Sequence, residues 1–393
     1  MGNVNVTLGN GALGSVLQTQ DGIAGMVLNG TAEGTIVAGT PFLITSLQDA
    51  ITAGLTTTNN PLAYKNITDF YANALNEGAQ LYIMLVPDTM TVAQMADKTN
   101  TNGAIKLLQF AGGKVRILGI MSDDAHVYSV GSPVVTTNGI NADVYTAVTN
   151  IQALAQQFFL AEQPFRAVIG GTSFTGTASS LSDLTTEANN RVAVLIGDTV
   201  SGANAALGLC LGTLAAIPVQ RKISRVKNGP LNTNTAFIAT TSADQYTQTD
   251  AITSKGFITF KAYQSLSGFF FTGDPTATTT TDDYAMLARG RVIDKAHLLA
   301  YATFVQEVDD EAPVDPKTGL IDPGFALYLQ QQMENQINLS MVANNNCSGV
   351  TCFIDPNQNV LSTSQLNVTL KITPVGYATT INVTLSFDNP ANG

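Results

Sequence analysis

Short apolar runs alternate with longer helical patterns between residues 20 and 225 of this 393-residue chain. Leu81–Val86 and residues 115–121 are almost continuously apolar, whereas the segments that follow Pro61 and Val144 repeat apolar residues at helical spacing. Runs that are apolar on both faces are typical of buried parallel strands, and the intervening helices provide the crossovers. The pattern predicts an α/β fold, with a mainly parallel sheet and flanking helices, for this part of the chain.

The second half of the chain has a different character, because it is rich in Thr and in turn residues from about residue 228 onward. Gly229-Pro230 marks a predicted boundary. We expect strands over 257–262 and 268–272, a long helix over 283–305, and two closing strands, which together predict an α+β domain. A further helix places these apolar residues on one face: Phe325, Leu329, Met333, Ile337 and Met341.

The tetrapeptide Asn-Val-Thr-Leu occurs at residues 5–8, 367–370 and 382–385. Each copy lies in a run that alternates apolar and polar residues, which predicts a β-strand at each end of the chain. The apolar residues on one face of the two terminal strands are Val4, Val6, Leu8, Ile381, Val383, Leu385 and Phe387. The sheet that these strands join is either the chain's own or that of a neighbouring copy, since unpaired strand edges pair readily with other chains.

These patterns predict four segments along the chain. They are an N-terminal β arm with a glycine hinge (1–19), an α/β domain (20–227), an α+β domain (228–374) and a C-terminal β arm (375–393).

The charge balance constrains the partners of this chain. Its net charge is −11 and only 12% of its residues are charged. An acidic surface disfavours nucleic acid and anionic membranes as partners, because it cannot neutralise their phosphates. The low charge content is explained either by a surface that partners cover or by abundant uncharged polar residues. The longest apolar run, residues 203–217, is too short to cross a bilayer, and no secretion signal is recognised, so we expect a protein made in the cytoplasm.

One basic cluster stands out in this acidic chain: Arg221, Lys222, Arg225 and Lys227. It is either a phosphate-binding patch or one side of a charge-complementary contact with the acidic loop of another subunit. The second interpretation fits the net charge better. The chain's own acidic cluster, Glu307, Asp309, Asp310, Glu311 and Asp315, lacks the glycine-turn spacing of a calcium loop and is expected to be a solvated acidic loop.

Few residues point to catalysis. Gly9, Gly11 and Gly14 match the G-x-G-x-x-G spacing of dinucleotide sites, but Asp21-Gly22 ends any helix that could follow, which favours a flexible hinge.

Neither a metal site nor a disulfide is favoured. Asp123 and Asp124, near His126, are more typical of a turn or helix cap than of a metal site. Cys347 and Cys352 could form a bridge, although free thiols are favoured in a reducing cytoplasm. We therefore predict no catalytic, cofactor-binding or metal-binding residues.

Three stretches carry a family resemblance. The first is Arg-Val-Ala-Val-Leu-Ile-Gly at 191–197, with the Ala-rich helix after it and residues 217–229. The second joins Asp283-Tyr284 to residues 289–295. The third comprises the last helix, residues 347–355 and the closing strands. In this order, across nearly the whole chain, the sequence resembles the sheath subunits of contractile phage tails and of related bacterial contractile injection systems.

The resemblance implies a structural subunit rather than an enzyme. Such subunits polymerise around an inner tube, their terminal arms add strands to neighbouring copies, and the array contracts to drive the tube through a target envelope. The implied partners are further copies, the inner tube protein, and baseplate and tail terminator proteins, with no cofactor, no nucleic acid and no direct membrane insertion. The helix from Phe325 to Met341 would face the tube.

The implied location is a virion tail assembled in the host bacterial cytoplasm, or the bacterial cytoplasm for an injection system. Two other classes remain open: a static tail tube or capsid protein, and a nucleotide-binding enzyme that uses Gly9, Gly11 and Gly14.

Overall fold

The computed structural model describes residues 20–74, 78–127 and 135–386. Its β-strands, numbered in chain order, are β1 (Ala24–Asn29), β2 (Phe42–Ile44), β3 (Leu81–Val86), β4 (Ile117–Met121), β5 (Thr136–Thr137), β6 (Ile140–Asn141), β7 (Arg166–Gly170), β8 (Ala188–Asn189), β9 (Val192–Leu195), β10 (Phe237–Ile238), β11 (Thr241–Ser242), β12 (Phe257–Ile258), β13 (Phe260–Ala262), β14 (Phe269–Phe271), β15 (Ala277–Thr278), β16 (Gly349–Ile354) and β17 (Val368–Thr373). Its α-helices are α1 (Leu47–Ala53), α2 (Pro61–Ala74), α3 (Val92–Ala96), α4 (Ala104–Phe110), α5 (Asp124–Val127), α6 (Ala142–Leu160), α7 (Leu207–Ala216), α8 (Thr249–Ser254), α9 (Leu287–Phe304), α10 (Pro323–Ile337) and α11 (Val360–Thr363).

A seven-stranded sheet organises the first part of the chain, in the order β12-β9-β7-β4-β1-β3-β2. All of its pairings are parallel except that of β2 with β3. Helices α2 and α7 pack on one face, and α3, α4 and α6 pack on the other. The central strands are buried along their whole length because both faces are covered, which explains their continuous apolar sequences. This confirms the predicted parallel α/β fold.

Two glycines allow α2 and α7 to lie unusually close together. A Cβ atom on Gly208 would lie 1.8 Å from the carbonyl oxygen of Asn66, and one on Gly212 would lie 2.4 Å from that of Phe70. The Asn66 side chain also accepts a hydrogen bond of 2.8 Å from the Gly208 amide, which satisfies a donor in the first turn of α7. The two helices therefore pack backbone against backbone.

The hydrophobic core of this first part continues through Leu287. Strand β12 extends the parallel sheet by pairing with β9, although it lies beyond the predicted boundary at residue 228. The predicted strand over 257–262 is two strands, because β12 joins the large sheet while β13 pairs with β14. The proposed division into domains at 227 and 374 stays a prediction, but the first core extends well past 227.

A smaller unit follows, in which α9, α10 and the antiparallel pair β16–β17 enclose a second apolar cluster. Helix α10 begins with Asp322 as N-cap, whose carboxylate accepts from the Phe325 amide at 2.9 Å, and with Pro323 in the first turn. A single π-helical turn, Asn338–Val342, prolongs it. The helix predicted over 283–305 is α9, which starts a few residues later.

Candidate assembly surfaces and the buried joint

The two-stranded sheet β16–β17 has one covered edge and one open edge. The amides of Cys352 and Ile354 on β16 donate to the side chains of Glu334 (2.8 Å) and Gln330 (2.7 Å), both of which lie on α10. These side chains satisfy the outward amides of β16 and block the approach of another strand. Glu334 and Gln330 were not predicted from the sequence. Polar residues that directly follow the apolar residues of a helical stripe are the signal that could have identified them.

The outer edge of β17 carries backbone groups that no strand among the described residues takes up. The register pairs Cys352 with Leu370. Because the Cys352 amide points away from β17 and toward α10, Cys352 and Leu370 form a non-hydrogen-bonded pair of the antiparallel ladder. The amides and carbonyls of Val368, Leu370 and Ile372 therefore point outward, while their side chains pack on the second core.

The C-terminal arm leaves this hairpin, and the contacts of its described part lie at its root. The Tyr377 hydroxyl donates to the Gln220 carbonyl at 2.5 Å, and the Lys222 ammonium lies 5.6 Å from the centre of the Tyr377 ring. Burial and the nearby Asp274 carboxylate raise the pKa of Tyr377 to about 12. The root of the arm is thus held on the loop that follows α7.

Beyond this root the arm is exposed and has no regular secondary structure through residue 386. Ile381, Val383 and Leu385 are 78%, 73% and 89% exposed. Residues 381–386 therefore form no strand with any other described part of the chain. Phe387 and the N-terminal residues Val4, Val6 and Leu8 lie outside the described residues.

The basic cluster is not one uniform patch. Lys222 pairs with the buried Asp274 carboxylate at 3.4 Å, so its charge is used within the chain. Arg225 and Lys227 are exposed, and Arg221 is half-buried. Arg225 donates to the Asn228 side chain at 2.8 Å. The predicted charged contact surface is thus narrower than the sequence suggested.

An apolar groove with an acidic rim lies between the loop after α9 and the hairpin. It has a volume of about 590 Å³, and its floor includes Phe304, Phe325 and Leu329. The rim carries the carboxylates of the acidic loop: Glu307, Asp309 and Asp310. Val308, between them, is 67% exposed.

The face of α10 that was predicted to contact a tube faces inward instead. Leu329, Met333, Ile337 and Met341 are at most 1% exposed, and Phe325 is partly buried. The apolar stripe identified the side of the helix that packs on its own core, so the prediction for these residues is wrong. The opposite side exposes Leu327, Tyr328 and Leu339 by 51%, 54% and 49%.

A buried ion cluster joins the parallel sheet to α9. Arg166, 1% exposed at the start of β7, forms two hydrogen bonds with the Asp294 carboxylate, at 2.6 and 2.8 Å. It also donates to the Gly290 carbonyl at 3.0 Å. Arg191 reaches the same carboxylate at 3.2 Å. A two-point contact of this kind fixes both distance and orientation, so α9 is held rigidly against the sheet.

This joint brings together two of the stretches that carry the family resemblance, 191–197 and 289–295. A Cβ atom on Gly290 would lie 2.6 Å from the Arg166 guanidinium carbon, so a side chain there would push the arginine away. On the far side of Arg191, its guanidinium lies 4.1 Å from the ring centre of Phe159, and that ring lies 4.4 Å from His297. Each of these residues therefore has a structural role at the joint.

Of the residues considered for chemistry, Asp124 has structural partners. The Asp124 carboxylate accepts hydrogen bonds from Ser122 (2.7 Å), Asn141 (3.0 Å) and Ser173 (2.6 Å), as expected of a buried cap at the ends of strands. Among residues 20–74, 78–127 and 135–386, no group of three His, Cys, Asp or Glu residues is placed to hold a metal ion. Gly9, Gly11 and Gly14 lie outside the described residues.

The thiols are buried and unbridged. Cys210, Cys347 and Cys352 are all free cysteines, and burial raises the pKa of each thiol. Cys352 reaches about 11 because the Glu334 carboxylate also lies nearby. None of the described helices combines the length and the apolar character that crossing a bilayer requires.

Solved structures of similar fold cover nearly the whole chain. The contracted helical sheath of the anti-feeding prophage has a TM-score of 0.64 at 14% identity, over 98% of this chain and 99% of that chain. The contracted sheath complex of PVC, an extracellular contractile injection system, gives 0.62 at 12% over the same shares. The sheath tail protein from Desulfitobacterium hafniense gives 0.52 at 10%, over 94% of this chain and 100% of that one. The resemblance to sheath proteins is thereby confirmed at the level of the fold.

No curated protein sequence matches this chain. The sequence itself matches two family models that together span most of its length. The first model, the N-terminal domain of DUF2586, covers residues 1–274, and the second, the C-terminal domain of DUF2586, covers residues 283–392. The interval between them falls just before α9, where the first core ends. The chain therefore belongs to the DUF2586 family.

Proposed function

We propose that this protein is the sheath subunit of a contractile tail or injection system. Copies polymerise around an inner tube through strand exchange by their terminal arms, and the array contracts to drive the tube through a target envelope. The observation that carries this proposal is the exposed, alternating apolar sequence of the C-terminal arm beside an unpaired strand edge. The fold, shared with chains from two contracted sheaths, supports the same assignment.

Strand exchange would pair the unpaired edge of β17 in one copy with the exposed arm of another. The edge of β17 offers the outward amides and carbonyls of Val368, Leu370 and Ile372, and the arm of another copy offers a complementary strand. Each new backbone hydrogen bond contributes about 1 kcal/mol net. Burial of each large apolar side chain of the arm adds roughly 1.5–3 kcal/mol. Such a contact would survive a rotation of the subunits as long as the connecting segments could bend.

The N-terminal segment is proposed as a second exchanged strand. Val4, Val6 and Leu8 give it the same alternation as the C-terminal arm, and the glycines between residues 9 and 14 provide a hinge. With one arm at each end, a subunit could be linked to two neighbours. The arms would then be residues 1–19 and 375–393, with the parallel-sheet body on the outside of the array.

A charge-complementary contact is proposed between the basic and acidic surfaces of neighbouring copies. Arg225 and Lys227 are exposed, whereas Lys222 is paired internally, so the first two would provide most of the contact. Their partners would be the carboxylates on the rim of the apolar groove: Glu307, Asp309 and Asp310. Exposed pairs of this kind guide association and orientation more than they add affinity.

The tube-facing surface is proposed to be the exposed side of α10. It presents Leu327, Tyr328 and Leu339, while Glu334, the charged residue between them in the sequence, accepts the hydrogen bond from the Cys352 amide. Baseplate and terminator proteins are proposed as contacts at the two ends of the array. A chain of similar fold has been solved in the anti-feeding prophage baseplate, with a TM-score of 0.63 at 13% identity, over 98% of this chain and 99% of that chain.

Electron microscopy of the purified protein tests the proposal. The wild type should form striated hollow cylinders, and Val383→Pro should remain monomeric because proline removes an amide and cannot extend a central strand. Val383→Ile, which keeps the amide and the apolar side chain, is the matched control and should assemble. Cylinders of a single narrow diameter would favour a static tube, and normal assembly of Val383→Pro would remove the strand-exchange hypothesis.

A further inference from the structure

A small cavity at the joint between the sheet and α9 is lined by an excess of cationic side chains. Arg116, Arg291 and Lys295 line it, together with the carboxylates Asp21 and Asp294. Its volume is about 10 Å³, which gives room for one water molecule or one atom-sized ion.

Arg291 is the least satisfied of these side chains. It is 4% exposed, and its Nε and Nη1 atoms form no hydrogen bond with any described residue. Its Nη2 atom has only two long contacts, 3.4 Å to the Asp21 carbonyl and 3.3 Å to the Ile217 carbonyl. A guanidinium has five N–H donors, so most of its capacity is unused in a place that water does not reach freely. The Nε atom of Arg116, which also lines the cavity, is buried and unbonded as well.

The nearby carboxylates are already engaged with other cations. Asp294 is shared by Arg166 and Arg191, and Asp21 pairs with Lys295 at 2.7 Å. The third carboxylate that acts on Arg291 is Asp274, which pairs with Lys222.

Neither arginine on the cavity therefore forms an ion pair with a carboxylate of the described residues. Burial lowers the pKa of Arg291 to about 10, so it stays charged at neutral pH although its surroundings disfavour the charge. A buried, unpaired charge of this kind is costly unless a counter-charge accompanies it.

We propose that the cavity between Arg116 and Arg291 binds a halide-sized monovalent anion, with chloride as the abundant candidate. The anion would accept hydrogen bonds from the free N–H groups of both arginines and would offset their charge. A water molecule could occupy the same space but would leave the charge uncompensated. Because the site lies where α9 meets the parallel sheet, the bound ion would strengthen the attachment between the two parts of the chain. This inference concerns the single subunit and does not depend on the proposed assembly.

Thermal unfolding at a protein concentration too low for assembly tests the site in solution. With ionic strength held constant by sodium gluconate, whose anion is too large to enter, the wild-type Tm should rise saturably with added chloride or bromide, by about 2 °C or more. Arg291→Met removes the donors and keeps the length of the side chain, so its Tm should no longer respond. Arg225→Met, which removes an exposed arginine, is the matched control and should respond like the wild type.

Crystals grown in bromide provide a second measurement that does not depend on any variant folding. An anomalous scattering peak between Arg116 and Arg291 is expected. The proposal is overturned if the wild-type Tm does not depend on halide at constant ionic strength, if Arg291→Met responds as the wild type does, or if the cavity shows water without an anomalous peak.

Discussion

The seven-stranded sheet and the C-terminal hairpin β16–β17 differ in the length of their edge strands. The seven-stranded sheet ends in β2, three residues long, and β12, two residues long, so neither edge offers much for another strand to pair with. The hairpin β16–β17 instead presents a six-residue edge strand whose outward groups are unpaired among the described residues. The seven-stranded sheet thus offers only short edges, whereas the C-terminal unit offers a six-residue edge for pairing. A single chain can in this way be stably folded and still be poised to polymerise.

The largest effect is expected where the body meets α9. Asp294→Ala would leave Arg166 and Arg191 buried beside each other without their shared carboxylate. Breaking a buried ion cluster from one side typically destabilises a protein by about 3–5 kcal/mol. We expect a loss of this size in urea unfolding, while the exposed control Asp310→Ala should change stability by less than about 0.5 kcal/mol. Equal losses in the free energy of unfolding for the two substitutions would show that the buried ion cluster does not stabilise the fold.

Gly208→Val, between α2 and α7, should lower the free energy of unfolding by less than Asp294→Ala does. The Cβ of Gly208→Val would meet the Asn66 backbone at 1.8 Å, and a backbone atom cannot move aside as a side chain can. Helices α2 and α7 would have to separate, which should cost about 3 kcal/mol. In the hairpin, Gly349→Val is the matched control, because the nearest atom to its Cβ lies at 3.9 Å. If the two variants have the same Tm, the close packing of α2 on α7 is not important for stability.

The root of the arm should contribute a modest, pH-dependent term. The pKa of Tyr377 is raised in the folded state to about 12, so the stabilisation is complete below the ordinary tyrosine value near 10 and is lost as the pH rises toward 12. The bond to the Gln220 carbonyl accounts for about 1 kcal/mol. Tyr377→Phe should therefore remove this pH dependence between 10 and 12 in thermal unfolding. If the stability of the wild type changes no more than that of Tyr377→Phe over this pH range, Tyr377 does not pack on the loop that follows α7.

The smallest effect on the monomer should come from the arm itself. Val383→Pro changes a residue that is 73% exposed and has no partner strand within the described chain. We expect the free energy of unfolding of the monomer to change by less than about 0.5 kcal/mol. A larger loss in urea unfolding would mean that the arm packs on its own subunit, and the contrast between the two sheets would then disappear.

The sequence predicted the body better than the joint and the surfaces. Leu81–Val86 and the helix from Pro61 were predictable because strand and helix periodicity is local. The contact between Arg166 and Asp294 was not, because the two residues are 128 positions apart and each looks like an ordinary charged residue. The stripe of α10 was recognised but was assigned to the wrong neighbour, since periodicity identifies a buried face without identifying what covers it.

Hydrogen exchange along the C-terminal arm, compared between monomer and assembled cylinders, tests the central claim most directly. If the arm completes a sheet in a neighbouring copy, the amides around Ile381, Val383 and Leu385 should exchange rapidly in the monomer and become protected on assembly, together with the outward amides of β17. Exchange that stays rapid at these positions in well-formed cylinders would contradict the account.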